Sequence, residues 1–302
     1  MLVFVTGATG FIGSAIVPDL LAHGHEVLGL ARSDIGVRML TEAGANAHRS
    51  DLQNLDSLRA GAALADAVIH AGFDHDFSKF AANCVVDRQA IEAIGSVLAG
   101  TDKPFVVTAG IPMVDDRPAT EDDAPSAGTS PRMSEETALA LAGSGVRASV
   151  VRLPQVHNRD KHGLGSYLIA IAREKGVSAY IGEGHNRWSA VHWADVAPVY
   201  RLALEKGGRG VSYQAVAEEG VALREIAGVI GRGLNVPVKA LPLEETAEHF
   251  GGLAFAVGAN LAASSMQTQH QLGWRPSDRP GFLADLERSS AYGVGREHYP
   301  II

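Results

Sequence analysis

The sequence has very little cysteine and no long apolar segment. Its one cysteine, Cys84, cannot form an intramolecular disulfide, so we expect a reducing, cytoplasmic setting. No basic segment precedes the first apolar run, 2–5, which is far too short for a signal peptide or a membrane-spanning helix. Positive charge is also scarce. The 26 Lys and Arg against 34 Asp and Glu give a net charge of -8, which argues against a nucleic-acid or anionic-membrane partner.

The opening stretch, 1–13, reads MLVFVTGATGFIG. Its first apolar residues predict a strand buried on both faces, and its last apolar pair opens a helical pattern. Between them, Gly7 permits a tight turn, Gly10 lets the backbone approach a pyrophosphate, and Gly13 lets the helix pack closely on the strand. Unpaired N–H groups at the helix start favour phosphate. The pattern predicts a dinucleotide site, with a ligand-free structural turn as the alternative.

Strand and helix patterns alternate along the rest of the chain, regularly as far as 153 and less regularly beyond it. Such alternation predicts an α/β fold, a Rossmann-type doubly wound parallel sheet with a smaller C-terminal α/β lobe for the substrate. The length suits one large domain with a smaller one. We expect a dinucleotide-binding domain over 1–155 and a lobe formed mainly by 156–302, with a segment at about 190–215 returning to the main domain.

The residues after the second and third strands bear on the choice of cofactor. Arg32 and Ser33, a cation and a hydroxyl, stand where a dinucleotide fold meets the adenosine ribose. An acid there would favour NAD, whereas these two residues suit the 2′-phosphate of NADP; an ordinary surface arginine is the alternative. Asp51, followed by Leu52, either accepts a bond from the adenine amino group or caps the next helix.

The fourth strand ends in Ala71 and Gly72, whose small size lets a cofactor lie against the backbone. The next segment, 73–77 (FDHDF), has the residue types of a metal site when His70 is added. Its spacing matches no common zinc pattern and no cysteine assists. We therefore expect no metal and a solvated loop over the cofactor.

Five landmarks in order resemble the extended, epimerase-like branch of the short-chain dehydrogenase/reductase superfamily. The first, TGATGFIG at 6–13, is similar to the TGxxGxxG of that branch and contains Thr9, Phe11 and Ile12. The others are RSDL at 49–52, VRLPQVHN at 151–158, AVHWADVA at 190–197 and LGWRP at 272–276. The resemblance spans nearly the whole chain. It implies a nicotinamide cofactor held on the glycine motif, with Pro154 and Val156 against the nicotinamide.

The reaction centre departs from that superfamily. Its members use a tyrosine as proton donor, with a lysine four residues later that lowers the tyrosine pKa. The acidic lead-in TEDDAP, 120–125, is present, but counting onward puts Pro131 at the tyrosine position and Glu135 at the lysine position. No tyrosine occurs between Gly72 and Val156. The resemblance identifies an atypical member that keeps the cofactor site and lacks the usual acid–base pair.

Other residues must then handle the substrate oxygen and its proton. Thr108 aligns with the serine or threonine that holds the substrate oxygen in the superfamily. The proton donor is left open among His157, His162 and Tyr167, histidine being attractive because its pKa lies near working pH. Arg132 would supply positive charge where the lysine is absent, although a guanidinium is no acid.

Several more residues are weaker candidates for the same crevice. The further candidate proton donors are His185 and the loop residues Asp74 and His75. The aromatic candidates for an apolar substrate pocket are Trp188, Trp193 and Phe77, with core packing as the alternative for each.

We expect an NADP(H)-dependent oxidoreductase that transfers a hydride between the nicotinamide and a carbonyl or imine carbon of a small organic substrate. Two alternatives stay open. One is a non-catalytic NADP-binding sensor that regulates a protein partner, and the other is a nucleotide-sugar epimerase or dehydratase. Besides the small-molecule substrate, we expect a homodimer and no nucleic-acid or membrane partner.

Overall fold

The computed structural model describes residues 1–125 and 131–293. Its strands are β1 (Leu2–Thr6), β2 (Glu26–Ala31), β3 (Asn46–Arg49), β4 (Ala67–His70), β5 (Phe105–Gly110), β6 (Ala148–Leu153), β7 (Gln155–His157), β8 (Ser178–Ile181), β9 (Arg187–His192), β10 (Ser212–Gln214), β11 (Glu218–Ala222) and β12 (Val238–Leu241).

The described α-helices are α1 (Gly13–Ala22), α2 (Asp34–Glu42), α3 (Leu55–Leu64), α4 (Phe80–Leu98), α5 (Ser134–Gly143), α6 (Leu164–Lys175), α7 (Trp193–Lys206), α8 (Leu223–Leu234), α9 (Thr246–Phe250), α10 (Ala254–Gly258), α11 (Met266–Leu272) and α12 (Phe282–Glu287). Short 3-10 turns lie at Phe77–Lys79, Leu243–Glu245, Gly251–Leu253 and Ser290–Gly293. Among the described residues, no helix combines the length and apolar character needed to cross a bilayer.

The central sheet has seven parallel strands in the order β10-β6-β5-β4-β1-β2-β3. Six of them follow the 3-2-1-4-5-6 order of a doubly wound dinucleotide fold, which confirms the predicted fold class. In such a sheet the ligand crevice lies outside the carboxyl ends of the strands. That edge carries the ends of β1, β2, β4 and β5, where most of the predicted site residues stand.

Each face of the central sheet has its own apolar core because a parallel sheet must be covered on both sides. Val3 and Val5 of β1 face a core that includes Leu20 of α1 and parts of α7. Phe4, between them, faces the opposite core, with Leu58 of α3 and parts of α4 and α5. Alternate residues of β1 therefore pack into opposite cores. This packing fixes the position of the carboxyl end of β1 relative to α1.

The C-terminal lobe is built on two small sheets. One has the order β11-β9-β7, and the other pairs β12 with β8. Its core includes Ile169 of α6, Trp188 of β9, Ile230 of α8 and Phe282 of α12. The segment 193–214 does not belong to this core, since β10 extends the central sheet beside β6 and α7 packs on α1.

The element bounds agree best where one periodicity is strong. The apolar periodicity of the sequence predicts helices over 164–175, 243–250 and 281–292, and the first of them is α6. The helix predicted at 243–250 is instead a 3-10 turn followed by the short α9, and the one at 281–292 is the short α12 followed by another turn. The apolar periodicity therefore overestimates the length of the α-helix in both stretches.

Candidate active site in the crevice between sheet and lobe

The turn between β1 and α1 is closed by its own backbone. The N–H of Gly10 donates to the carbonyl of Gly7 at 2.9 Å, and the N–H of Ser14 to the carbonyl of Gly10 at 2.8 Å. Gly7 has a φ of 68°, and a Cβ there would lie 2.5 Å from the carbonyl oxygen of Ala71. A Cβ on Gly13 would lie 2.1 Å from the carbonyl oxygen of Gly7. Only glycine fits at Gly7 and Gly13, so the end of β1, the start of α1 and the end of β4 meet closely.

Gly10 is different because the side where its Cβ would stand is open. A Cβ there would meet only the carbonyl oxygen of Gly7, at 3.2 Å. Within the described part of the chain, no backbone carbonyl accepts a bond from the N–H of Phe11, Ile12 or Gly13. Unpaired amides, open space and the positive end of α1 together fit an anionic diphosphate. The residues present therefore fit the cofactor class that the sequence predicts.

The end of β2 carries the predicted selector for the ribose phosphate. Arg32 is exposed, and Ser33 is the N-cap of α2, its Oγ accepting from the N–H of Gly36 at 3.1 Å. Asp34 is the acidic residue in the first turn of α2, and its carboxylate contacts the guanidinium of Arg49 at the end of β3. The carboxylate next to the selector is thus already paired with a cation.

The N-cap of α3 is Asn54, whose Oδ1 accepts from the N–H of Ser57 at 3.1 Å, so the predicted capping of that helix by Asp51 is wrong. The loop before the helix is instead held by Asp51. Its Oδ1 accepts from the N–H of Gln53 at 2.9 Å and of Asn54 at 3.1 Å, ahead of α3. A methyl group of Leu52 would lie 3.2 Å from a Cβ on Gly72, so the two residues line one side of the crevice together. An adenine contact for Asp51 stays a prediction.

A chain of polar side chains runs beneath the crevice from β1 to the start of α5. Thr6 Oγ1 is 2.9 Å from Nδ1 of His70, and Nε2 of His70 is 3.1 Å from Oδ1 of Asp87. Ser134 donates to Oδ2 of Asp87 at 2.6 Å, and Nε of Arg132 donates to Oγ of Ser134 at 2.9 Å. All but Arg132 are at most 1% exposed. This chain fixes the position of Arg132 from below.

The direction of the hydrogen bonds follows from the carboxylate of Asp87, which can only accept. We therefore assign Nε2–H of His70 as the donor to Asp87, and Nδ1 of His70 as the acceptor of the Thr6 hydroxyl. The N–H of Gly72 also donates to Oγ1 of Thr6, at 3.2 Å. Burial raises the pKa of Asp87, but the bonds from His70 and Ser134 and the charge of Arg132 outweigh it, so the pKa lies below its usual value. Asp87 is an anion that orients its donors.

Arg132 brings a permanent positive charge to the carboxyl end of β5. Its guanidinium carbon lies 4.2 Å from the centroid of the Phe73 ring, and its Nη2 is 3.4 Å from the carbonyl oxygen of Thr108. Stacking on Phe73 and the bond to Ser134 hold the planar group in one orientation. A guanidinium held in this way can stabilise a developing oxyanion, but it transfers no proton.

Thr108 shares this strand end with Tyr200 of α7. Its hydroxyl donates to the carbonyl of His70 at 2.8 Å and lies 2.7 Å from the hydroxyl of Tyr200. Burial raises the pKa of Tyr200 far above its usual value, so the phenol stays protonated. Tyr200 was not among the predicted site residues, because nothing local links it to a strand end 92 residues away. The role of Thr108 toward a substrate oxygen stays a prediction.

The residues at the tyrosine and lysine positions have other functions. Pro131 has no titratable group. Glu135 is 4% exposed and accepts from Nε of Arg152 at 3.0 Å, from its Nη2 at 2.7 Å and from the hydroxyl of Ser212 at 2.6 Å. It thereby ties α5 to β6 and β10. The structure makes Glu135 half of a buried ion pair rather than an acid–base residue.

Two of the predicted proton donors are buried in the lobe, in the junction of β7 and the loop after it with the segment 285–289. Nδ1 of His157 is 2.8 Å from Oδ2 of Asp285, and Nε2 of His162 is 2.8 Å from Oγ of Ser289. Burial, followed by the nearby His157, lowers the pKa of His162 to about 4. His157 follows Val156, which is also buried, while Pro154 is half-buried. Neither imidazole lines the open cleft to which Tyr167 contributes.

That cleft, of about 300 Å³, lies between the loop after β4 and the lobe. Its lining residues are His75, Asp76, Phe77, Tyr167, Phe250, Gly252 and Leu253. The phenol oxygen of Tyr167 is 3.5 Å from the carbonyl oxygen of His75. Burial and the charge of Asp76 raise the pKa of Tyr167, so its hydroxyl is protonated at neutral pH. Tyr167 is thus placed to donate a hydrogen bond at the mouth of the crevice.

The remaining predicted residues divide between core, surface and cleft. Trp188 is a core residue of the lobe, fully buried, and its indole N–H donates to the carbonyl of Ala256 at 3.1 Å. Trp193 packs against Phe11, with 6.3 Å between ring centroids. His185 is on the surface beside Arg224. Within residues 1–125 and 131–293, no group of three His, Cys, Asp or Glu side chains is arranged to hold a metal ion.

The fold and the glycine cradle define a dinucleotide-binding α/β protein of the Rossmann type. Residues 3–216 match the model of the NAD dependent epimerase/dehydratase family. This match covers more than two thirds of the chain, so the chain belongs to that family.

Two curated relatives match along nearly the full length of this chain, and a third matches along about three quarters of it. An uncharacterised protein of Schizosaccharomyces pombe is 46% identical over 97% of this chain and 100% of its own. An uncharacterised protein of Saccharomyces cerevisiae is 42% identical over 95% of this chain and 98% of its own. A decarboxylating sterol-4-alpha-carboxylate 3-dehydrogenase of Dictyostelium discoideum is 28% identical over 74% of this chain and 73% of its own.

Solved structures share the fold at low sequence identity. A dTDP-glucose 4,6-dehydratase of Streptomyces venezuelae, a double mutant with NAD bound, gives a TM-score of 0.75 at 19% identity and covers 97% of this chain and 96% of its own. The UDP-glucose 4-epimerase of Thermus thermophilus in complex with NAD gives 0.69 at 21% identity and covers 96% and 97%. At these identities the similarity shows the fold alone.

Proposed function

We propose that the protein is an NADP(H)-dependent oxidoreductase that acts on a carbonyl or imine carbon of a small organic substrate. The observation that carries the proposal is that one crevice holds both a diphosphate cradle and a fixed cation. The cradle is the turn from Gly7 to Gly13, and the cation is Arg132 at the end of β5. Membership of a family of NAD-dependent enzymes and a dehydrogenase among the relatives support the same class.

The preference for NADP rests on the end of β2. Arg32 and Ser33 offer a cation and a hydroxyl to a 2′-phosphate. The neighbouring carboxylate, Asp34, is paired with Arg49, which reduces its repulsion of a phosphate. NAD recognition would instead require a carboxylate directed at the ribose hydroxyls.

The chain supplies orientation and electrostatics for the reaction. The bound reduced nicotinamide supplies a hydride to the substrate carbon. Arg132 stabilises the negative charge that develops on the substrate oxygen, and its position is set by Ser134 and Phe73. Water delivers the proton that the oxygen gains, because Phe77, Phe80 and Phe73 separate Tyr167 from Arg132. The lobe limits the access of other water to the reacting atoms.

The test is binding followed by turnover. Isothermal titration calorimetry with NADPH and NADH measures the two affinities, and absorbance at the reduced-nicotinamide band measures consumption with a panel of aldehydes, ketones and cyclic imines. We expect tight NADPH binding and NADPH consumption with part of the panel. Binding without any consumption across the panel would overturn the oxidoreductase while leaving the cofactor site in place.

A non-catalytic NADP sensor is the second candidate, and one observation favours it. Glu135, at the lysine position, is fully committed to Arg152 and Ser212, so the usual acid–base pair cannot be formed by a small rearrangement. A sensor would bind NADPH and NADP with different affinities, show no turnover and retain a protein partner on purification. A nucleotide-sugar epimerase or dehydratase fits less well, because it would need a proton-transfer pair at Pro131 and Glu135.

A further inference from the structure

The cleft beside the loop after β4 has a composition that selects its ligand. Three aromatic side chains, Phe77, Tyr167 and Phe250, line it together with Leu253. Among the lining residues that the structure describes, the one carboxylate is that of Asp76, whose pKa is lowered by hydrogen bonds from Ser78 and then from Lys79. None of these described lining residues is a lysine or an arginine. Such a lining disfavours diphosphates and carboxylates and favours an uncharged apolar group.

The aromatic surface continues from the cleft to the cation at the end of β5. Tyr167 meets Phe77 edge to face, with 5.2 Å between centroids at an interplanar angle of 82°. Phe77 lies 5.6 Å from Phe80, and Phe80 lies 6.0 Å from Phe73. Arg132 stacks on Phe73. We call this row of Tyr167, Phe77, Phe80 and Phe73 the aromatic wall.

The wall has room for further ring contacts. All four of its rings are only half-buried, and two of them, Phe77 and Tyr167, line the cleft. An aromatic ligand gains edge-to-face or offset contacts with such rings beyond what its buried area provides, whereas a saturated ring of the same size gains area alone. The volume of about 300 Å³ is at the lower limit for ligand sites and suits one or two rings.

We propose that the substrate is an uncharged aromatic aldehyde or ketone of one or two rings, which lies along the aromatic wall with its carbonyl toward Arg132. This proposal rests on the proposed function. In the reaction the carbonyl carbon forms a C–H bond with the hydride of the reduced nicotinamide. The π electrons of the carbonyl move to oxygen, which takes a proton, and the products are the alcohol and the oxidised nicotinamide.

The test compares matched rings in two assays. Saturation-transfer NMR on the NADP complex compares benzamide with cyclohexanecarboxamide, which have carbonyl groups that the enzyme does not reduce. Steady-state kinetics with NADPH compare benzaldehyde with cyclohexanecarboxaldehyde. We expect at least about 5-fold tighter binding and a correspondingly higher kcat/KM for the aromatic member of each pair. The difference should appear mainly in KM.

Variants at Phe77 decide whether the wall is responsible. Phe77→Leu keeps the apolar volume and should remove most of the aromatic preference, while Phe77→Tyr should restore it. Phe255→Leu is the matched control. Phe255 lies on α10 of the C-terminal lobe, is 54% exposed and does not line the cleft. It should leave both assays unchanged.

The outcomes separate the two proposals. Phe77-dependent preference for benzamide with no reduction of any aldehyde would uphold the aromatic site and overturn the oxidoreductase. Equal kcat/KM for the two aldehydes, unchanged in Phe77→Leu, would overturn the aromatic site and uphold the oxidoreductase. Absence of binding by both amides to the NADP complex would also overturn the aromatic site.

Discussion

The glycine turn at 7–13 and the start of α5 at 131–135 lie along the same edge of the central sheet, but they are built differently. The turn presents backbone atoms to the crevice, and its shape depends on Gly7 and Gly13, where only glycine fits. The start of α5 depends on side chains from β1, β4, α4 and β6 that meet only after folding. A site made of backbone keeps its chemistry when side chains change, whereas a site made of side chains is easily converted to another use.

The largest effect that we predict is a loss of stability on substitution of Glu135. Glu135→Ala leaves the guanidinium of Arg152 buried without its carboxylate, so the free energy of unfolding should fall by about 3–5 kcal/mol. Denaturant titration monitored by circular dichroism measures this. Glu136→Ala, one residue along α5 and only half-buried, is the control and should change stability by less than about 0.5 kcal/mol. Loss of NADPH turnover with unchanged stability would show instead that Glu135 acts in catalysis.

The next largest effect that we predict is a loss of NADPH affinity on substitution of Arg32. Arg32→Ala removes the proposed charged partner of the 2′-phosphate, an interaction that would contribute about 1.5–3 kcal/mol. The NADPH affinity should fall by about 10- to 100-fold while the NADH affinity stays within about 2-fold. Arg38→Ala, at an exposed position on α2, is the control and should retain the preference. Equal losses for both nucleotides would contradict selection at the 2′-phosphate.

A substitution at Gly10 distinguishes an effect on cofactor binding from an effect on the stability of the turn. A Cβ at Gly10 contacts the protein only at the carbonyl oxygen of Gly7, so Gly10→Ala should change stability by less than about 1 kcal/mol. It would occupy the space needed by the diphosphate, and calorimetry should show at least about 10-fold weaker NADPH binding. Gly143→Ala, where a Cβ meets nothing within 4 Å, is the control. Unchanged affinity in Gly10→Ala would place the diphosphate elsewhere.

The difference between a site made of backbone and a site made of side chains explains how much of each can be predicted from the sequence. The fold class, the glycine turn and the position of Arg32 and Ser33 at the end of β2 depend on local patterns of a few residues, so the sequence alone predicts them. The chain from Thr6 to Arg132 and the contact of Tyr200 with Thr108 join segments up to 92 residues apart, and no local pattern marks them. His157 and His162 are of the residue type expected for a proton donor. Their rings are buried against Asp285 and Ser289, which are 128 and 127 residues away in the sequence, so no local pattern indicates this burial.

His162 lies outside the crevice, and its burial predicts a contribution to the free energy of unfolding that depends on pH. The pKa of His162, lowered to about 4 by burial and the nearby His157, lies below its unfolded value of about 6.5. The neutral form is therefore favoured on folding, and its contribution is fully present above about pH 6.5 and is lost as the pH falls toward 4. His162→Gln should remove about 1–2 kcal/mol of the stability loss between pH 7 and pH 5.

Thermal or denaturant unfolding at the two pH values measures that difference. His270→Gln, at an exposed position on α11, is the matched control and should follow the wild-type dependence. A variant at His162 with the full wild-type dependence on pH would assign the loss to other groups of the junction, such as His157. NADPH binding at pH 7 should be unaffected by either substitution, since neither residue belongs to the crevice.

The most direct measurement of the central claim is a calorimetric titration of the wild-type protein and Gly10→Ala with NADPH and NADH in parallel. We predict one site per chain in the wild type, at least about 10-fold tighter for NADPH than for NADH, and a marked loss of NADPH affinity in the variant. No measurable binding of either nucleotide to the folded wild-type protein would contradict the account.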